Sequence, residues 1–232
     1  MKDIKLDLEK MQEAGVHFGH KVSSLHPKMK PFVSGIKNNV NTIDLEKTAK
    51  ELEKALKFIS TLIEGGKSIV FVGTKVQMRL LVKQAAEDCQ VPHVTERWLG
   101  GTFTNFGTIQ KRVEYFKDLE SKKATGGLDK YTKKERLLFD REMESLRIKF
   151  EGIKDMSKLP DAVLLLDLKK DLTCAKEAKR KGIKIIALCD TNIDPTIADY
   201  PIPANDDAMS SVKFILEQVK NVIIESRTEV KG

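Results

Sequence analysis

Ser68-Ile-Val-Phe-Val72 is a short apolar run with no polar face, so a strand built from it must be covered on both sides. That is the condition of a central strand in an α/β sheet. Gly73–Thr74 then turns the chain into a helical pattern over Val76–Asp88, and Val91–Val94 follows as a second strand. The alternation recurs downstream. Ala162–Leu168, a helix over Thr173–Arg180, and Lys184–Leu188 repeat strand, helix, strand. Successive units of this kind imply a parallel sheet wound in the right-handed sense. Tyr200–Pro203 suits an edge strand, where proline is tolerated, and Asn205 can cap a last helix through Val212, Ile215, Leu216, Val219 and Ile223. Upstream, Asp44 can cap a helix with the apolar face Leu45, Leu52, Leu56, Ile59 and Ile63, ended by Gly65–Gly66. A short polar helix is expected around Leu6–Ala14. The expectation is a parallel sheet of about five strands with helices on both faces.

From Asn105 to Lys154 there is no strand signal. Two helical patterns flank the loop Ala124-Thr-Gly-Gly-Leu-Asp-Lys130. The first shows Ile109, Val113, Phe116 and Leu119; the second opens with the capping box Thr132-Lys-Lys-Glu135 and continues through Leu138, Leu146, Phe150 and Ile153. With 13 Lys or Arg and 9 acids, the segment keeps only a narrow apolar seam. It is expected to form a helical hairpin, an arm at 105–154 inserted into an α/β domain made of 1–104 and 155–232.

The whole chain has 232 residues, 41% of them hydrophobic, with room for one large domain or one domain plus an appendage. Its 41 Lys and Arg exceed 34 Asp and Glu by seven, an excess that points to a polyanionic partner. No apolar stretch approaches the ~20 residues needed to cross a bilayer. Lysines and acids alternate from Met1 to Glu13, which suits neither a secretory signal nor a transit peptide, so the protein is expected to stay where it is made. Cys89, Cys174 and Cys189 are odd in number, lack CxxC spacing and sit among apolar neighbours, as reduced core thiols do.

The basic excess has a local concentration. Gly15 to Ile43 contains Lys21, Lys28, Lys30 and Lys37 and no acid, and is expected to be a loop-rich strip. A nucleotide-binding enzyme is the competing reading of any such sheet. Gly66-Lys67-Ser68 resembles part of a Walker loop, but Thr61 stands where its first glycine belongs, and the string precedes the strand it should follow. The turn after Val72 has one glycine where a dinucleotide fingerprint has three, although Thr74–Lys75 can hold a phosphate at a helix N-terminus. His17 and His20, spaced i, i+3, together with Asp190, Asp194, Asp206 and Asp207, raise a metal site against the plainer reading of turn caps and ordinary hydrogen bonds. No nucleophile has a spacing that places a base beside it. Trp98, the single tryptophan, is either a core anchor or, with Arg97 and Gly100–Gly101, a place where RNA backbone approaches and a base stacks.

Several blocks then converge on one family. Ala14-Gly-Val-His-Phe-Gly-His20, Pro27-Lys-Met-Lys-Pro31, Val72-Gly-Thr-Lys75, Arg97-Trp-Leu-Gly-Gly101 with Thr104–Asn105, Gly152-Ile-Lys-Asp-Met156, Leu159-Pro-Asp161, Asp190-Thr-Asn192 with Asp194–Pro195, and Ile202-Pro-Ala-Asn-Asp-Asp-Ala208 stand in family order along almost the whole chain. The chain resembles the bacterial-type small-subunit ribosomal protein S-two family. The resemblance implies a flavodoxin-like, Rossmann-like α/β domain with an inserted α-helical coiled-coil hairpin, and a structural role without catalysis. It implies binding of 16S rRNA on the solvent side between head and body, late entry into assembly, and help in docking the mRNA-binding protein S-one beside other small-subunit proteins. Departures are Leu25–His26 in place of an aromatic residue and Asn, Thr102–Phe103 in place of Met–Leu, and Glu151 where a second glycine is common.

The expected RNA-binding residues are Lys21, Lys28, Lys30 and Lys37 in the strip, Arg97, Trp98, Lys111 and Arg112 where the arm leaves the domain, and Lys133 and Lys134 at the second arm helix. No catalytic residue, metal, cofactor, membrane or small-molecule substrate is expected. The expected place is the small ribosomal subunit in the cytoplasm, with translation inside an organelle equally compatible. The competing readings are a nucleotide- or flavin-binding enzyme and a protein-interaction scaffold whose helical arm grips another helix.

Overall fold

The computed structural model describes residues 6–231, with side chains through Thr228, so the start of the Met1–Glu13 charge alternation lies outside the described residues. Asp7 opens α1 (Leu8–Glu13) by accepting the backbone N–H groups of Glu9 and Lys10. The strands β1 (Phe18–Lys21), β2 (Val33–Lys37) and β3 (Val40–Ile43) follow, then α2 (Leu45–Glu64), β4 (Ile69–Val72), α3 (Arg79–Asp88) and β5 (His93–Val94). The rest comprises α4 (Phe106–Ala124), α5 (Lys133–Phe150), β6 (Ala162–Leu165), α6 (Leu172–Lys181), β7 (Lys184–Cys189), β8 (Tyr200–Pro203) and α7 (Met209–Lys231).

Five strands form one sheet in the order β5-β4-β6-β7-β8, with every neighbouring pair parallel. In chain order this is second, first, third, fourth, fifth, the doubly wound flavodoxin-like arrangement. The run at Ile69–Val72 lies inside the sheet and is fully covered. Its alternate residues enter different cores. Ile69 and Phe71 join Ala162, Leu164, Ile186 and Leu188 under α2, α3 and α7, whereas Val70 and Val72 join Val163, Leu165, Ile185 and Ala187 under α4, α5 and α6. On α2, Leu52, Leu56 and Ile59 are fully buried, each stabilising the fold by roughly 1.5–3 kcal/mol relative to exposure.

Strand ends differ from the sequence expectation. β5 keeps only His93–Val94, and β6 stops at Leu165, although the buried Leu166 still donates its N–H to Val72 and Leu168 its N–H to Leu188. The Val76–Asp88 helix divides into a 3-10 turn over Val76–Met78 and α3. At the far edge, Ala204 N–H donates to Cys189, so alternate donors of β8 face β7 and the outward positions fall on Pro201 and Pro203. The three cysteines are buried and unbonded, and burial pushes the Cys89 thiol up to about 11.

The acid-free strip is not simply loop. It folds as a second, antiparallel sheet in the order β1-β3-β2. Its hairpin turns at Asn38–Asn39, whose φ values of 50° and 61° are those of a two-residue turn that twists with its strands, and asparagine tolerates that backbone. The hairpin signal was therefore two asparagines rather than a glycine.

The arm helices form as expected, and the capping box is present in both directions between Thr132 and Glu135. Leu138 departs from its expected seam position and is exposed; Phe139, Met143, Leu146 and Phe150 form the seam instead, facing Val113, Phe116 and Leu119. These residues continue into the core beneath β4 and β6. Lys123 bridges to Asp140 across the pair at 2.6 Å, and Glu120 takes both Arg147 and Lys154. Replacing Thr132 with alanine is expected to destabilise the protein by about 1 kcal/mol, measured by urea unfolding, because the Glu135 N–H in the first turn of α5 loses its acceptor, the Thr132 hydroxyl.

Candidate nucleic-acid interface

The small antiparallel sheet gives the basic strip a defined geometry. Val40 of β3 pairs with Lys21 on one side and Lys37 on the other, and residues directly opposite in a sheet project to the same face. Lys21 and Lys37 thus flank Val40 two strand spacings apart, roughly 10 Å. Both are exposed. Lys28 and Lys30 lie in the 3-10 turn Pro27–Phe32; Lys30 is exposed, and Lys28 reaches Asp194 at 2.7 Å and Thr196 at 3.0 Å. The Lys28 ammonium and the Thr196 hydroxyl hold the Asp194 carboxyl well below the usual carboxylate range. Arg97, Lys111 and Arg112 are exposed near the arm's base, whereas Lys133 and Lys134 are exposed at its distal end, on the first turn of α5. Among the described residues, Lys28 is the one member of this group engaged in an ion pair.

Trp98 requires a correction. It is buried, packs edge-on against Phe103 at 4.7 Å between ring centres, and donates its indole N–H to Glu177 at 3.2 Å. It anchors the core and has no free face on which a base can stack. Glu177, on α6, also accepts from the backbone N–H groups of Gly101 at 2.8 Å, Phe103 at 3.0 Å and Thr104 at 3.2 Å, and from the Thr104 hydroxyl. Burial pushes this carboxyl upward, but the bonds from Gly101, Thr104, Phe103 and Trp98 outweigh it and hold the pKa below its ordinary value. The close approach permitted by Gly101, at φ +94°, is therefore made by the protein's own carboxylate.

The carboxyl ends of the parallel strands, where sheets of this topology bind ligands, carry a second cluster. Lys75 meets Asp167 at 3.1 Å and Asp206 and Asp207 at 2.8 Å each, while the Thr74 hydroxyl donates to Asp171 at 2.8 Å. The Thr74–Lys75 phosphate position is thus filled from within, and an incoming phosphate meets carboxylates. His20 sits between Asp190 at 3.1 Å and Asp207 at 3.4 Å. Its hydrogen bond to Asp190 raises its pKa. His20, Asp190, Asp206 and Asp207 each offer one ligand atom, all within 4.8 Å of one another, a spacing that one cation can bridge. His17 stands apart from this group, its ring tilted against that of Phe18, and Asp194 is turned away toward Lys28. The i, i+3 pairing assumed a helix, whereas in extended backbone residues three apart face opposite sides.

Burial, with repulsion from Asp167 and Asp190, pushes the Asp206 carboxyl up to about 7. The folded form then holds this proton more tightly than the unfolded chain, so its contribution to stability is present at low pH and is lost as pH rises from about 4 to about 7. In thermal melts across that window, Asp206→Asn is expected to remove this downward slope; a slope identical to that of the unaltered protein refutes the assignment.

A family model described as Ribosomal protein S2 matches residues 11–226. The chain belongs to the ribosomal protein S2 family. Small ribosomal subunit protein uS2c of Rhodomonas salina is 47% identical over 218 residues, covering 94% of this chain and 90% of that protein. Small ribosomal subunit protein uS2 of Chlorobaculum tepidum is 44% identical over 97% of this chain and 90% of its own, and that of Coprothermobacter proteolyticus 41% over 97% and 84%. The S2-family chain is thus a protein of the small ribosomal subunit, a structural component rather than an enzyme. No helix among the described residues is long and apolar enough to cross a membrane.

Proposed function

We propose that this S2-family chain binds 16S rRNA through phosphate and shape contacts made by Lys21, Lys28, Lys30 and Lys37, with Arg97, Lys111 and Arg112 at the base of the arm and Lys133 and Lys134 at its far end. The observation that carries the reading is the small antiparallel sheet, which holds Lys21 and Lys37 on one face within a segment that contains no acid. Lysines fixed on a short sheet neutralise phosphates without first losing backbone freedom. The nucleotide- or flavin-binding alternative is disfavoured by the carboxylates at the strand ends. Late entry into assembly, docking of S-one and work in the cytoplasm rest on the family resemblance. In this reading 105–154 acts as an arm inserted between 1–104 and 155–232.

The test is binding to a 16S rRNA transcript as salt is raised. Affinity should fall steeply, with each neutralised phosphate adding roughly 0.7–0.9 to the slope of log affinity against log salt. Lys21→Gln with Lys37→Gln is expected to lower that slope by about 1.5 and leave the melting temperature nearly unchanged. Salt-independent binding by the unaltered protein defeats the proposal.

A further inference from the structure

Between Leu166 and Lys184 the chain carries seven bases and three acids, and the fold separates them completely. Asp167, Asp171 and Glu177 are buried, whereas Lys169, Lys170, Lys176, Lys179, Arg180, Lys181 and Lys184 are all exposed. The acids are spent internally: Asp167 on Lys75, Asp171 on Thr74, and Glu177 on the Trp98–Thr104 turn. Of the bases, only Lys184 has an ion-pair partner among the described residues, Asp199 at 2.9 Å. A segment mixed in sequence is therefore uniformly cationic at its surface.

Helix electrostatics account for part of this pattern and not for the rest. Lys179, Arg180 and Lys181 lie in the last turn of α6, where positive charge favours the helix dipole. Lys169 and Lys170 precede its first turn, where positive charge opposes the dipole, so an external anion is the more economical explanation of the whole face. The face is also continuous with the surface proposed above. Glu177 ties α6 to the turn that follows Arg97, and Lys179 and Lys184 share a cavity of about 160 Å³ with Thr196, the residue that Lys28 reaches; the two acids on this path, Asp199 and Asp194, are paired with Lys184 and Lys28.

We infer that α6 and its flanking loops form a second phosphate-binding face, which extends the rRNA contact from Arg97 past α6 to Lys28. This deepens the rRNA reading and rests on it. The occupant is a nucleic-acid backbone rather than an acidic protein, because the exposed residues of the α6 face are Lys, Arg and Thr173, with no aromatic or aliphatic anchor of the kind that centres a protein interface.

The experiment compares three full-length proteins for binding to a 16S rRNA transcript over a range of KCl concentrations: the unaltered chain, Lys176→Gln/Lys179→Gln/Arg180→Gln, and Lys21→Gln/Lys37→Gln. All five side chains are exposed, and a thermal melt of each variant checks that it is folded. The α6 variant is expected to bind at least tenfold more weakly at moderate salt, with the slope reduced by about two. A slope unchanged in the α6 variant but reduced in the strip variant overturns this inference and leaves the rRNA reading standing. An unaltered chain that does not bind overturns both. Nuclease-resistant capture of an acidic protein, coupled with an unchanged RNA slope, also overturns it.

Discussion

Glu177→Ala is expected to destabilise the protein by about 3 kcal/mol or more and to lower the melting temperature by roughly 6–12 °C. Both carboxylate oxygens are in use, one by Trp98 and Gly101, the other by Phe103 and Thr104. Truncation leaves buried N–H groups of the Trp98–Thr104 turn without an acceptor, and a donor stranded in the core costs more than a single hydrogen bond contributes. Glutamine tests the mechanism. It restores one acceptor but turns an amide N–H₂ toward donors, so Glu177→Gln should recover at most about half of the loss. Because the native carboxyl is held below its ordinary pKa, its stabilisation is present at neutral pH and declines as the solution is acidified through the native value. A melting temperature within 2 °C of the unaltered protein for Glu177→Ala contradicts this account. The loss should also be felt at a distance, because the same turn leads from Arg97 into α4.

The second large effect is expected at Gly152. A Cβ built there falls 2.2 Å from the backbone carbonyl oxygen of His93 and 2.8 Å from its imidazole ring. A side-chain neighbour can rotate away, but the carbonyl is part of β5 and moves only with the sheet edge. Gly152→Ala should therefore cost about 3 kcal/mol, the upper end for overpacking, read as a shift of the urea midpoint. Gly107, in the first turn of α4, gives the contrast. Nothing lies within 4 Å of its added Cβ, so Gly107→Ala should be stabilising by roughly 0.5–1 kcal/mol. If both substitutions move the midpoint in the same direction, close approach is not what position 152 requires.

These effects mark where the sequence is informative and where it is silent. The parallel sheet was legible because Ile69–Val72 and Ala162–Leu165 are apolar on both faces and alternate with periodic helices. The β2–β3 hairpin was not, because β2 is largely exposed and β3 buries a polar residue, Asn41, beside Ile43, so neither strand shows a clean apolar alternation. The exposed lysines of the strip needed only a count of charge. Glu177 offered no signal: four of its five donors are backbone groups or the indole of a turn more than 70 residues upstream, and backbone groups carry no residue identity. The α6 face illustrates the same limit in another form, since a string of letters gives the number of acids but not the side of the helix on which they are buried. Trp98 could anchor a core or stack on a base, and only the partner of its indole N–H separates the two.

The outer rim of β8 has a consequence for the molecule before it joins any larger assembly. An open parallel sheet ordinarily offers a row of amide hydrogens to which a stray extended chain can add, and the product of such addition grows. Here the outward positions belong to Pro201 and Pro203, which have no amide hydrogen to offer, and the opposite rim, β5, is two residues long. Neither rim of the parallel sheet thus offers a sibling chain a long row of amide hydrogens to add to.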